Sequence, residues 1–297
     1  MAREGDVTRG ENPAVARLRL RHALRSARDS SDLTQEQVAS SLEWSLSKVI
    51  RIENGTVRMT ITDMRALLQL YGILGADAVS ELEALARIAR TRAWWAELGE
   101  IAPKFSNYIG LEEGASQLSF YQLLVIPGLL QTEAYARSVL PAGHLTSPVD
   151  GEDFITIRMR RQERVLERQD PPQIHAVLDE STLRRTSGGV ATQREQLHHL
   201  IGLGSRPNIH LQVMPFSAGL QVLEPAFVVM AFPYGPDHDV VYLEFSNSSP
   251  AVQDRGQVLD KEEEVAPYRE TFSRLTSAAL DEAKSLAYIA KVAGELR

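Results

Sequence analysis

Residues 33–55, LTQEQVASSLEWSLSKVIRIENG, decide how this chain is read. Thr34 stands at a helix start with Gln37 three residues on, the form of a capping box, in which hydroxyl and amide each satisfy a backbone N–H that the helix leaves orphaned. Val38, Ala39 and Leu42 recur on one face of the helix that follows. Glu43 and Trp44 fall where the chain turns, Ser45 is a second capping hydroxyl, and Leu46, Val49, Ile50 and Ile52 return at helical spacing. Asn54-Gly55 supplies a stop signal. Two short helices, a tight turn and a polar outer face on the second helix predict a helix-turn-helix.

The polar residues suggest what that second helix touches. A recognition helix buries one side against its own domain and offers the other to the major groove. Val49, Ile50 and Ile52 suit the first task, and Ser45, Ser47, Lys48 and Arg51 the second. Serine donates or accepts at base edges, arginine grips guanine through two hydrogen bonds, and lysine suits guanine or phosphate. Gln35, at the start of the preceding helix, is placed to reach a phosphate through its side chain or nearby backbone N–H groups. The pattern alone fits an ordinary helical hairpin with a solvated polar face equally well.

The residue identities go further. L-T-Q-E-Q-V-A followed by S-L-S-K-V-I-R-I-E-N-G resembles the DNA-binding domain of the phage Cro/repressor type, also called the xenobiotic-response-element type, over roughly residues 12–73. The resemblance implies that Gln35 contacts phosphate, that Ser45, Leu46, Ser47 and Arg51 face base edges, and that Asn54, Thr56 and Arg58 contact the backbone beyond the recognition helix. Lys48 suits either role. The expected DNA-binding set is therefore Thr34, Gln35, Ser45, Leu46, Ser47, Lys48, Arg51, Asn54, Thr56 and Arg58. Trp44 departs from the family, which usually carries a smaller residue in the turn; it either packs under the turn or touches the DNA backbone.

At 297 residues the chain is too long for a single helix-turn-helix domain, so two domains are expected. Its 43% hydrophobic and 24% charged residues are ordinary for a soluble globular protein. It contains no cysteine, which excludes disulfides and cysteine zinc sites, and it has no long apolar run of the kind a membrane span requires. The polar N-terminus, MAREGDVTRGENPA, does not read as a secretory signal, so a cytoplasmic protein is expected. The net charge of −7 argues against DNA until it is divided: residues 1–70 hold 11 Lys/Arg and 9 Asp/Glu, the remainder 21 and 30. The local field over a groove matters more than the total.

In order, residues 1–11 are expected to be a disordered tail. Residues 12–75 should form a five-helix domain that opens with a helix at 12–28, capped by Asn12 and started by Pro13. Its arginines, Arg17, Arg19, Arg21, Arg25 and Arg28, read mostly as solvated charge. Residues 76–104 predict a long helical connector or dimer contact carrying Trp94 and Trp95, unless those tryptophans fill the core of the second domain. Residues 105–297 predict an α+β domain with a mixed sheet. Within it, strand 173–178, helix 191–203 and strand 208–214 form a βαβ unit with a parallel pair, and strands 227–232 and 240–245 form a hairpin. A helix at 152–168, rich in both charges, predicts i,i+4 ion pairs. Pro267 predicts that the helix containing Val265 and Phe272 starts later or kinks. The fold class is thus multidomain: all-α helix-turn-helix, then α+β.

The second half also carries a resemblance. PGLLQTEAYARSVL, IRMRRQERVLER, IHAVLDESTLRR and NIHLQVMPFSAG resemble a large domain of unknown function that follows a helix-turn-helix in many regulators of filamentous actinobacteria. The resemblance implies a gene setting beside a small acidic or antitoxin-like protein and a link to development or specialised metabolism.

Catalytic arrangements do not emerge. HExxH, GxSxG, the phosphate loop and GxGxxG are all missing, and the histidines lack metal-ligand spacing. Asp179, Glu180 and Arg184 form the best remaining polar cluster, at the carboxyl end of a strand read as parallel, where such sheets place ligands; a helix cap is the plainer reading. The expectation is a DNA-binding homodimer, not an enzyme, without cofactor or metal. Its second domain senses a small ligand or docks a small partner protein; the alternative is an antitoxin-like adaptor that autoregulates through its DNA-binding domain.

Overall fold

The computed structural model describes residues 12–55, 57, 59–98, 101–143, 151–244 and 256–297, and the chain divides into two units, Met1–Ala93 and Trp94–Arg297. The expected tail at 1–11, Thr56, Arg58, most of the linker at 141–151 and Phe245 lie outside the described residues.

The first unit holds five helices: α1 (Pro13–Ser30), α2 (Gln35–Ser41), α3 (Leu46–Glu53), α4 (Ile61–Leu70) and α5 (Ala76–Ile88). Asn12 caps α1 by accepting from the N–H groups of Ala14 and Val15. Leu20, Leu24, Val38, Val49, Ile52, Met64, Leu67, Leu68, Leu82 and Leu85 form one buried core drawn from all five helices. The last two correct the expected connector: α5 ends at Ile88 and buries its apolar face in this core, so it is the fifth helix of the unit rather than a bridge. Trp94 and Trp95 belong to the second unit, where their indole N–H groups donate to Glu113 (3.1 Å) and Ser106 (2.7 Å).

The arginines of α1 are not solvated charge. Arg17 donates to the carbonyl of Ala89 at the end of α5 (3.2 Å), Arg21 to that of Asn54 at the end of α3 (3.1 Å), and Arg19 pairs with Glu81 (2.9 Å). Helix carboxyl ends leave carbonyls unsatisfied and carry partial negative charge, so a cation placed there is stabilising.

The second unit is built on a six-stranded mixed sheet of order β3-β2-β1-β4-β5-β6, with β1 (Gln117–Gln122), β2 (Gln173–Asp179), β3 (Ile209–Met214), β4 (Phe227–Ala231), β5 (Val240–Glu244) and β6 (Gly256–Leu259). The expected parallel pair β2–β3 and hairpin β4–β5 are both present, and β1 adds a second parallel pairing with β2. Around the sheet run α6 (Pro103–Gly114), α7 (Glu133–Gly143), α8 (Gly151–Leu166), the short α9 (Glu180–Arg184), α10 (Val190–Leu203), α11 (Glu262–Ala278) and α12 (Glu282–Glu295). Tyr121, Val177, Phe227, Val229 and Val241 pack with Phe272 and Leu275 of α11. The alternate residues Leu118, Phe120, Ala176, Leu178, Val228 and Met230 are buried as well, so both faces of the sheet are covered. The outer edge of β3 is satisfied at Val213, whose N–H donates to Ser285 Oγ and whose carbonyl accepts from Leu280 N–H, both at 2.9 Å.

α11 begins at Glu262 and carries Pro267 inside it, so of the two expectations for this helix the later start is ruled out. The arginines of α8 form no ion pair within that helix among the described residues. Arg161 reaches Glu112 and Arg164 reaches Glu113, both on α6, while Arg168 bonds the carbonyls of Glu113 and Ala115. α6 supplies those partners.

Candidate nucleic-acid interface

The helix-turn-helix is assembled by its caps. Thr34 Oγ1 accepts from Gln37 N–H (3.2 Å) and Gln37 Oε1 accepts from Thr34 N–H (2.8 Å), completing the capping box. Ser45 Oγ accepts from Lys48 N–H (3.2 Å) and starts α3. Between the helices, Trp44 N–H donates to Ala39 C=O (2.8 Å) and Glu43 N–H to Ser40 C=O (3.3 Å), the paired bonds of a Schellman motif. Glu43 occupies the left-handed position at φ 53°, where glycine is usual. α4 closes with the same pair of bonds around Gly72 at φ 73°.

Trp44 packs against the core of the unit, under the turn. Lys48 Nζ lies 3.6 Å from the centre of its indole ring and 2.6 Å from Asp63 Oδ1 on α4. Burial works against ionisation of Asp63, but hydrogen bonds from Lys48 and Thr60 outweigh it and hold the carboxyl below its usual range. Lys48 is therefore a strut between α3 and α4 before it is anything else.

Val49, Ile52 and Glu53 are buried, whereas Ser45, Leu46, Ser47, Arg51 and Asn54 are exposed. Ser47, Arg51 and Asn54 follow one another at i, i+4 and i+7, a single line down the outer side of the helix. Arg51 Nε donates to the carbonyl of Ser47 (3.2 Å), which lays its guanidinium along that line. Asn54 Oδ1 accepts from Arg25 of α1 (3.4 Å).

The residue that sequence reasoning passed over is Glu53, 2% exposed. One of its oxygens accepts from Arg28 Nε of α1 and the other from Gln35 Nε2 of α2, both at 2.7 Å. Arg28 also donates to Leu33 C=O (3.0 Å). A buried carboxylate thus ties the start of α2 and the end of α3 to α1 and orients Gln35, the residue expected at a phosphate. Its signal lay in the IENG ending, as an acidic residue on the apolar face of α3.

In the second unit, the expected cluster does converge. Asp179 accepts from Ser181 N–H (2.9 Å) as the cap of α9; Glu180, 5% exposed, accepts from Phe216 N–H (2.9 Å) and pairs with Arg184, which also reaches Glu295 (3.2 Å). These bonds join α9 to the loop after β3 and to α12. Among the described residues no group of His, Asp and Glu is arranged to hold a metal ion, and no helix is long and apolar enough to cross a membrane.

Comparison with known families matches residues 19–82 to a helix-turn-helix domain and residues 105–291 to a domain of unknown function, DUF5753. No curated protein and no solved structure matches the chain. The first match covers α2 and α3 together with the caps and the Glu53 clamp that set them. The second covers the whole sheet and more than half of the chain, and on that extent the protein belongs to the DUF5753 family, with a helix-turn-helix domain at its N-terminus.

Proposed function

We propose that the protein is a sequence-specific transcriptional regulator of the Cro/repressor type that works in the cytoplasm, binds duplex DNA as a homodimer and has no catalytic activity of its own. The observation that carries this reading is the exposed line Ser47–Arg51–Asn54 on α3, on a helix whose opposite side is buried and whose position is set by the Glu53 clamp. Arg51 and Ser47, with Ser45 and Leu46 at the helix start, read base edges. Gln35, oriented by Glu53, directs its remaining amide N–H to a phosphate, next to Thr34. One such helix reads only a few base pairs, which makes two half-sites about one helical turn apart the expected operator. The family domain senses a small ligand or a small partner protein and changes the spacing of the two DNA-binding units; its ligand must bind the two spacings unequally, because otherwise it shifts nothing.

Selection from random duplex DNA tests the reading: an enriched two-fold symmetric motif is expected, and the absence of any enriched motif would overturn it. On that motif, Arg51→Ala should cost about 1–3 kcal/mol and relax the preference at one base pair. Gln35→Ala should weaken binding with less change of preference. An Arg51→Ala variant that keeps both affinity and preference would mean that another face enters the groove.

A further inference from the structure

α3 turns two kinds of side chain outward. Beside the polar line Ser47–Arg51–Asn54 runs a second, apolar one, Leu46 and Ile50, one turn apart. The sequence groups Ile50 with Val49 and Ile52 on the buried side of the helix, but the structure separates them. Val49 and Ile52 belong to the core of the first unit, whereas Ile50 is half-buried and neither it nor Leu46 joins that core. Leu46 is 36% exposed, and among the described residues no other large apolar side chain on a helix of this unit lies so open. The neighbouring polar groups are engaged in the fold: Ser45 Oγ accepts from Lys48 N–H, and Lys48 Nζ is held between Asp63 and the Trp44 ring. The first two turns of α3 therefore present Leu46, Ser47, Ile50 and Arg51.

Apolar side chains on a face otherwise made for hydrogen bonding are stabilised by meeting another apolar group. In the major groove the base edges present donors and acceptors, and the apolar group among them is the C5-methyl of thymine. Leucine and isoleucine have no donor or acceptor of their own. A polar base edge set against them is stripped of water without a partner, which is unfavourable, whereas a methyl is not.

We propose that Leu46 and Ile50 form an apolar strip that selects thymine, so that each operator half-site carries thymine methyls beside the base read by Arg51. The inference rests on the proposed DNA reading and deepens it, from a face in the groove to the base that face prefers. Cβ atoms one turn apart on a helix are about 5–6 Å from each other, and successive bases of a strand rise by about 3.4 Å, so the pair reaches thymines one or two steps apart. Arg51 Nε donates to the Ser47 carbonyl, which runs its guanidinium back along the helix beside the strip. A guanine held by that guanidinium then adjoins the thymines.

The test uses the full-length protein and the operator enriched from random duplex DNA. Each thymine of one half-site is replaced singly by deoxyuridine, which keeps the pairing with adenine and removes only the methyl. Wild type should lose about fourfold in affinity at each of two nearby positions, the worth of one buried methyl. Leu46→Ala should bind the thymine operator more weakly and no longer distinguish thymine from uracil at one of them, and Ile50→Ala at the other. A merely structural side chain would instead lower affinity for both operators equally and leave the uracil effect in place. If Ile50→Ala fails to fold, the wild-type scan and Leu46→Ala still decide. Selection repeated with Leu46→Gln, whose side-chain amide matches adenine, should replace thymine at the Leu46 position. An enriched operator on which wild type ignores every thymine methyl, or a uracil effect undiminished in both alanine variants, overturns the thymine assignment and leaves the DNA reading standing. The absence of any enriched operator overturns both.

Discussion

At Glu53 a single carboxylate orients three elements. Removing it in Glu53→Ala releases Gln35 and leaves Arg28 with the Leu33 carbonyl and the exposed Asp29 carboxylate, so the loss should be about 1–3 kcal/mol, the cost of leaving buried donors without their partner. Unfolding of residues 1–93 in urea checks this, and a loss below about 1 kcal/mol, the worth of an exposed pair, would show that solvent replaces the carboxylate. Glu43 offers the opposite change. An L residue in the left-handed region pays a steric cost that glycine avoids, less the entropy that glycine loses on folding. Glu43→Gly should therefore stabilise the unit by about 0.5–1 kcal/mol in the same measurement. A loss would mean that the Glu43 side chain contributes contacts of its own.

Among the elements, β2 and β3 share a titratable contact. His175 Nε2 lies 2.7 Å from Gln212 Oε1 on the neighbouring strand, its ring stands edge-on to Phe272 of α11 at 5.2 Å, and His210 lies 6.0 Å away. Burial lowers its pKa; Gln212 opposes the shift, and the neighbouring His210 adds to it. The unfolded chain then binds a proton more readily than the folded one. The stability this represents is present above the unfolded value of about 6.5 and is lost as pH falls below it. His199, lowered by burial as well, acts in the same direction. The urea midpoint of the full-length protein should fall between pH 7.5 and pH 5, and His175→Gln should flatten that dependence. A variant with the wild-type slope would place the effect elsewhere.

For the whole molecule, charge and division matter most. The acidic excess lies beyond residue 70, away from the helix-turn-helix in sequence, so DNA affinity depends on the local field of the first unit. That unit has its own core, and residues 1–93 should fold alone. They should bind a half-site yet lose most of the affinity of the full-length protein for the two-fold operator, because the second half-site is then engaged independently. Titration of both proteins at several salt concentrations checks this; equal operator affinity would place dimerisation in the first unit.

The helix-turn-helix was legible in the sequence because its information is local. Capping hydroxyls at Thr34 and Ser45, the apolar spacing between them and the Asn54-Gly55 stop act within a few residues, and the structure realises each of them. Strand order around β2 and β3 was legible for a similar reason, since spacing and composition restrict how two strands with a helix between them connect. Side-chain partnership was not. Arg28 and Glu53 are 25 residues apart, Arg161 and Glu112 are 49 apart, and Arg17 finds the end of a helix 72 residues on. A charge on a helix reads alike whether it meets solvent, its own i+4 neighbour or a distant carbonyl. Tertiary packing alone decided which, by fixing the carboxylates and carbonyls that lay within reach once the apolar faces were buried.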